Sequence, residues 1–403
     1  MKRVAGNQRL VRETNQKLII DAFRQRGMIS RAELAKLLNL SAPSVSSNID
    51  QLLRAGMLRE VGEGDSIGGR RPILLKFNYR YRFIGVVDLS SDVVRVVLGD
   101  LQGNIVAFRE IVLPELKIGG PILEDIIRSL HVLLKDNNVH PDKLKAIVVG
   151  LPAVINDETG RLLLAPQFQG WDGINIKDKL EKNFNARVIV KNDVNMAALG
   201  ECRYGAGKRY NNMVYVGVET GIGAGIIIDG KLYEGSRNAA GEIGHFISSY
   251  DEGGCRVDQF GPLESRLAVP AIIKRIKDGI AKGCRSKALE LAGGNIQGIN
   301  LGIVRKAAMM GDGYVLNIIH DSARMLGWVI ANINVVLDVD LVIIGGRVIE
   351  LGQHFIRPLR QTIDRLSPLS ISVVYASLGS KAVVYGGFAL GLDYVFNHIL
   401  DDI

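Results

Sequence analysis

A chain of 403 residues is longer than one ordinary hydrophobic core supports and points to two or three domains. With 47% hydrophobic and 23% charged residues and no uncharged apolar tract of 18 or more, neither a helical membrane span nor a largely disordered chain is expected. The net charge of +8 is unevenly placed: residues 1–82 carry 16 Lys+Arg against 7 Asp+Glu, a net of +9, and the remaining 34 basic and 35 acidic residues leave −1. That concentration points to a polyanion-binding head on a neutral body, although charge alone is equally compatible with a solvated basic tail. Three separated cysteines, Cys202, Cys255 and Cys284, argue against a disulfide scaffold. With the polar start after Met1-Lys2-Arg3, they suit a reducing cytoplasm and no secretory leader.

In chain order, Leu10, Val11, Leu18, Ile19, Ala22 and Phe23 recur at helical spacing, and Arg26-Gly27 ends that first helix. Ser30, with Glu33 three residues on, forms a capping box for a short second helix through Leu34, Leu37 and Leu38. After Asn39-Leu40-Ser41, a third helix places Val45, Ile49, Leu52 and Leu53 on one face and Ser44, Ser46, Ser47 and Asn48 on the other. Two short helices joined by about four residues, the second with small polar side chains outward, is the helix-turn-helix arrangement. Small side chains let such a helix sit deep in the major groove, where Ser and Asn bond base edges and phosphates. Ser41, Ser44, Ser46, Ser47 and Asn48 are therefore candidate DNA contacts.

Residues 57–61 read as a strand, 62–69 as a glycine-rich turn, and 73–77 as the returning strand behind Arg70-Arg71-Pro72. Directly after a helix-turn-helix, such a hairpin is a wing. Arg70 and Arg71 can then track phosphates or enter a narrow A·T-rich minor groove. Residues 76–82 are expected to be a short basic linker, dividing the chain into a DNA-binding domain with linker over 1–82 and a body over 83–403.

In the body, β-rich runs alternate with helical stretches, the pattern of an α/β fold. Strands over 83–89 and 93–100 surround a polar turn, followed by Gln102-Gly103-Asn104 and a third strand. Strands over 213–219 and 224–228 repeat that plan about 130 residues later, with Thr220-Gly221-Ile222-Gly223 at the turn. A duplicated unit implies two lobes, and ligands favour the cleft between lobes. Thr220-Gly221-Ile222-Gly223-Ala224-Gly225 is either a phosphate loop or a plain glycine-rich turn. Asn192-Asp193 lies between a strand and a helix, so Asp193 either caps that helix or serves a hydroxylated ligand as hydrogen-bond partner or base. Gly241-Glu242-Ile243-Gly244-His245 sets a carboxylate and an imidazole three residues apart, as a polar ligand site, a metal site or a turn.

Taken in order, Gly68-Gly69-Arg70-Arg71-Pro72, Asn192-Asp193 before an Ala-rich helix, the 220–225 and 241–245 stretches and Ile343-Ile344-Gly345-Gly346 resemble one family. It is the ROK family (repressors, open reading frames and kinases), in its subgroup with an N-terminal winged helix-turn-helix, and the similarity spans essentially the whole chain. The resemblance implies an α/β body of two-lobed, actin-like sugar-kinase fold, dimeric or tetrameric. It also implies that Asn192, Asp193, Glu242, His245 and Glu264 line a sugar site, in a cleft near 192–193 and 242–264, with Gln167 and Trp171 bordering it.

The sequence departs from the family twice. The family's zinc loop reads Cys-x-Cys-Gly-x-x-Gly-Cys-x-Glu, whereas this chain has Cys255-Arg256-Val257-Asp258-Gln259-Phe260-Gly261-Pro262-Leu263-Glu264. Val257 and Pro262 replace two thiolates, so no metal is expected, and no other cofactor. Family kinases carry Asp-x-Gly-Gly-Thr at the first hairpin; Asp88-Leu89-Ser90-Ser91-Asp92 lacks both glycines and adds a negative charge where a triphosphate would sit. Phosphoryl transfer is therefore not expected, leaving Asp193 as a vestigial base. The expectation is a cytoplasmic repressor of carbohydrate-utilisation genes. Its homodimer or homotetramer would read double-stranded operator DNA and sense a small-molecule sugar. The alternative is an ATP-dependent sugar kinase carrying a DNA-binding head.

Overall fold

The computed structural model describes residues 8–63, 71–90, 93–113, 119–156, 159–164, 171, 174–246 and 261–402. The head comprises α1 (Gln8–Arg26), β1 (Met28–Ser30), α2 (Arg31–Leu38), α3 (Ala42–Arg54), β2 (Leu58–Glu63) and β3 (Ile73–Phe77). The Ser30 hydroxyl accepts from the Glu33 N–H while the Glu33 carboxylate accepts from the Ser30 N–H, closing the capping box. Asn39 ends α2 in the left-handed region at φ 51°, which turns the chain into Ser41. Ser41 in turn caps α3 by accepting from the Ser44 N–H. The three strands pair antiparallel in the order β1-β3-β2. Three residues are too few to display alternation, so β1 is invisible to periodicity.

Ile19, Phe23, Leu34, Val45, Ile49, Leu52, Leu75 and Phe77 are fully buried in the head. Leu10, Val11 and Leu18, grouped with them by spacing, are exposed. The buried row on α1 is Gln16, Ile19, Ile20 and Phe23, and Val11 and Leu18 fall on the opposite side of the helix.

The body continues with β4 (Phe83–Asp88), β5 (Val93–Asp100), β6 (Ile105–Val112), α4 (Gly119–Asp136), β7 (Leu144–Leu151), a small hairpin of β8 (Val154–Ile155) and β9 (Leu162–Leu164), α5 (Ile176–Asn183) and β10 (Arg187–Asn192). Next, α6 (Asp193–Tyr204) leads to β11 (Met213–Val218), β12 (Ile222–Ile228) and β13 (Lys231–Tyr233). Helices α7 (Glu264–Leu267), α8 (Val269–Ala281), α9 (Lys287–Leu291), α10 (Leu301–Met309) and α11 (Gly313–Leu337) follow. The chain ends through β14 (Leu341–Gly345), α12 (Gln353–Leu366), β15 (Ser372–Tyr375) and α13 (Ala382–His398).

The two body sheets share one design, as the duplicated pattern requires. Their orders are β10-β7-β4-β5-β6 and β13-β12-β11-β14-β15. In each, the first three strands form an antiparallel meander and the last two add parallel to the first. The carboxyl ends of the parallel strands of both sheets open onto one cleft, where α/β sheets bind ligands.

Helices α6 and α13 pack at backbone distance behind that cleft. A Cβ on Gly200 would lie 2.2 Å from the Ala382 carbonyl oxygen, and one on Gly386 only 1.8 Å from that of Met196. The fully buried Glu201 carboxylate of α6 accepts from the Ala206 N–H and, from the segment that leads into α13, the Leu378 N–H and the Ser377 hydroxyl. Residues 379–401, which include α13, are long and apolar enough to cross a bilayer by length and composition, yet more than half of the apolar stretch is buried inside the fold. That burial identifies α13 as a core helix.

The far end of α13 carries the head. The Phe396 ring lies 5.8 Å from that of Phe77, and the Arg24 guanidinium sits 3.8 Å over it. Of the linker expected over 76–82, Lys76 and Phe77 belong to β3, and the remaining residues are held by both domains. Asn78 donates to the Met57 and Gly56 carbonyls, and the Leu101 N–H donates to Tyr79. One apolar core runs unbroken from Ile19, Phe23 and Phe77 in the head to Phe388 and Val395 on α13.

Candidate functional site

The cleft measures about 390 Å³ and is walled by both lobes. At its centre β10 ends at Asn192, whose extended backbone (φ −60°, ψ 137°) makes it the N-cap of α6, and Asp193 opens the helix. The Asn192 Oδ1 accepts from the Asn195 N–H at 3.1 Å, and its Nδ2 donates to the Ala153 carbonyl at 3.3 Å. Opposite, Gly241 adopts φ +95° and lies so close to β12 that a Cβ would strike the Ala224 carbonyl. The Ala224 N–H donates to Gly241 at 2.7 Å. That docking presents Glu242 and His245 to the cleft. Glu264, opening α7, accepts from the Ile222 N–H at 2.9 Å. The cleft thus gathers Asn192, Asp193, Glu242, His245 and Glu264 from three segments of the chain.

Its electrostatics follow from that crowding. Burial pushes the Asp193 carboxyl up to about 7, with the Asp88 and Glu242 carboxylates adding to the rise against its bond from the Val194 N–H. Glu242 and Glu264 are likewise raised, first by burial, with the neighbouring His245 opposing the shift in both. Three carboxyls held above their ordinary range, beside an imidazole and several amides, suit hydrogen bonding to a hydroxyl-rich neutral ligand and one proton transfer at Asp193.

The remaining expectations fare differently. Trp171 is 4% exposed and packs against Gly119 inside the first lobe, so it belongs to that lobe's core and not to the cleft wall. Gln167, Cys255 and Asp258 lie outside the described residues, as do Arg70, Ser91 and Asp92. Two glycines of the 220–225 stretch, Gly223 and Gly225, pack against α6. A Cβ on Gly225 would approach the Ala198 Cβ to 2.4 Å and the Val194 carbonyl oxygen to 2.9 Å, so they let α6 lie on β12.

In the described part of the first hairpin, Asp88 is fully buried and accepts from the Ser90 N–H and hydroxyl. It also pairs with Arg95 at 3.4 Å, and Arg95 bonds Glu110 at 3.0 Å. Sequence reasoning missed Arg95, which lines the cleft. The available signal was one cation within the otherwise apolar run of β5. It also missed Glu219, which accepts from the Arg347 N–H at 2.6 Å across the strand ends of the second sheet.

On the head, Ser47 is exposed, Ser44 and Ser46 are half-buried, and Ser41 caps α3 from an exposed position. Asn48 is a correction: it is 5% exposed, faces inward and donates to the Ser44 carbonyl. Three residues after Val45 and four before Leu52, it falls within the apolar stripe instead of opposite it. Arg71 is exposed at the base of the wing, 3.9 Å from Glu63.

Comparison with known proteins agrees with this architecture. The ROK family model matches residues 84–393, and a winged helix-turn-helix DNA-binding model matches residues 12–59. The chain is 30% identical to a xylose repressor of Caldicellulosiruptor bescii over 393 residues, covering 96% of this chain and 97% of the relative. It is 31% identical to a glucokinase of Halalkalibacterium halodurans over 312 residues, covering 76% of this chain and 93% of that one. A solved ROK family transcriptional regulator, described as a homologue of the Escherichia coli MLC protein, superposes with a TM-score of 0.78 at 22% identity, covering 97% and 98% of the two chains. The chain belongs to the ROK family and joins a winged helix-turn-helix head to a sugar-kinase-type body.

Proposed function

We propose that this protein is a sugar-responsive transcriptional regulator, a repressor of carbohydrate-utilisation genes, whose body senses a sugar without phosphorylating it. The observation that carries the reading is the physical path from cleft to head. Asp193 starts α6, α6 is locked backbone-to-backbone onto α13, and α13 ends under Arg24 and Phe77. A ligand that prefers one closure of the cleft therefore biases the position of the head, as coupling between two sites requires. The near full-length likeness to a xylose repressor supports the same reading. Against phosphoryl transfer stands the first hairpin, where Asp88 is already engaged by Ser90 and Arg95 and no glycine pair offers its N–H groups to a phosphate.

A second copy supplies the second head for a two-fold operator, in a homodimer or homotetramer. Trp328, Val335 and Val336 form an exposed apolar row on α11 that suits such an interface. Fluorescence anisotropy with DNA from the protein's own promoter region tests the proposal. Binding is expected at low salt, falling steeply as salt rises and changing on addition of D-xylose or D-glucose. Absence of DNA binding at low salt would end it. The second reading, a sugar kinase with a DNA-binding head, is favoured by Asp193, whose carboxyl at about 7 suits a general base. Sugar-dependent release of ADP from ATP would establish that activity instead.

A further inference from the structure

Two asparagines flank Asp193, and they differ in one respect. The Asn192 amide is already used within the protein: Oδ1 caps α6 and Nδ2 clamps the Ala153 carbonyl. Asn195, one turn into the helix, lines the same cleft at 4% exposure, and its Oδ1 is buried without a hydrogen bond. An orphaned buried amide oxygen costs on the order of 1–3 kcal/mol and persists where something other than folding requires it.

The surroundings make the orphan informative. Several acceptors around the cleft already hold a bond from the protein: Asp193 from the Val194 N–H, Glu264 from the Ile222 N–H, Glu219 from the Arg347 N–H. Among the described residues of the head there is one comparable orphan, the Oδ1 of Asn48, which does not line the cleft. Among the described residues, the Asn195 Oδ1 is therefore the fully buried side-chain acceptor of the cleft wall that no group of the protein satisfies. Its χ2 torsion is broad and roughly two-fold, so a rotation of the amide presents either a donor or an acceptor to the cleft with no movement of α6.

Resting on the reading of the cleft as a sugar sensor, we propose that Asn195 contacts the ligand directly and sets its specificity, taking a sugar hydroxyl while Asn192 acts as the positioning residue of the corner. A free aldose fits this role better than a sugar phosphate. The amide and the adjacent carboxyls Asp193, Glu242 and Glu264 exchange hydrogen bonds with hydroxyls that both donate and accept, whereas three carboxyls repel a phosphate.

The test uses the full-length protein and its Asn195→Ala variant, with thermal shift and calorimetric titration against D-xylose, D-glucose and D-galactose. The variant is expected to melt at the same temperature or higher without sugar, because the orphan is gone. Its affinity should fall about tenfold or more, as expected when a buried polar contact to a ligand hydroxyl is removed. Asn195→Asp, which keeps the shape, should change the affinity ratio between D-glucose and its epimer D-galactose; a merely structural residue would leave that ratio alone. Should the alanine variant fail to fold, Asn195→Ser serves for the same measurements. A variant that binds the preferred sugar within twofold of the wild type, with an unchanged ratio, overturns the role of Asn195 and leaves the sensor intact. Wild-type protein that binds none of the three sugars overturns the sensor reading, and the role of Asn195 with it.

Discussion

Two corners of the cleft are built on the same plan and have diverged in chemistry. Each is the first hairpin of its sheet, between β4 and β5 in one lobe and between β11 and β12 in the other. In the second lobe the corner and the strand it opens are rich in glycine, and Gly223 and Gly225 let α6 lie directly on β12. In the first lobe the described residues are Asp88, Leu89 and Ser90, and the corner is stabilised by a buried carboxylate with its hydroxyl and guanidinium partners. The difference teaches that a glycine-rich motif is not by itself a record of phosphate chemistry. Close helix packing demands glycine at Gly225 whatever the site binds, while the described residues of the first corner carry a side-chain network.

The sharpest way to break this comparison is Gly225→Val. A side chain there meets the Ala198 Cβ and the Val194 carbonyl, so a loss of about 3 kcal/mol or more is expected in urea unfolding. A neutral result would mean that α6 can lift from the sheet. Next is Arg95→Met, which strips the fully buried Asp88 of its counter-charge and should cost about 3 kcal/mol. Adding Asp88→Asn should recover most of the loss, and a double-mutant cycle without coupling would dismiss the pair as the stabiliser of that corner.

The first corner also acts electrostatically on Asp193, through the Asp88 carboxylate. Its carboxyl rises from 3.8 to about 7 on folding, so between those values the folded state binds the extra proton. The associated stability is complete below about pH 4 and is lost as pH climbs through 7. Ligand-free protein should therefore lose up to about 1.4 kcal/mol per pH unit across that window from this group, and Asp193→Asn should flatten the slope. The raised Glu242 and Glu264 carboxyls act in the same direction, so a rise in stability with pH would contradict the description of the whole cleft. The smallest effect belongs to Ser90→Gly, which removes one hydroxyl bond to Asp88 at a cost of about 1 kcal/mol. A thermal midpoint about a degree lower would accompany it, and a collapse as large as that of Gly225→Val would erase the distinction between the corners.

Much of this molecule was legible before any coordinates. The Ser30–Glu33 capping box, the wing strands and the repeated meander depend on contacts within a few residues, or on the period of apolar side chains, and both are written locally. Asn192, Asp193, Glu242, His245 and Glu264 were identified through resemblance and do converge on one cleft. The misreadings lie where a neighbour from elsewhere in the chain decides the outcome. Asn48 turned inward because the apolar stripe of α3 is wider than four residues suggest, and Leu18 stayed outside because only one side of α1 faces the head core. Trp171 was drawn into the first lobe by Gly119, about fifty residues upstream and impossible to pair with it by spacing.

What the sequence determined by itself is the order of elements and the basic head and neutral body, because periodicity, capping and charge are properties of short stretches; the cleft carboxylates were legible only through the family resemblance. What only the tertiary structure decided is how these parts act on one another. The α6–α13 clamp, the seat of Phe396 under Arg24, the Arg95–Asp88 pair and the unsatisfied amide of Asn195 each join or expose groups according to their surroundings in space. Packing distance and burial, which set their energies, are absent from a linear chain.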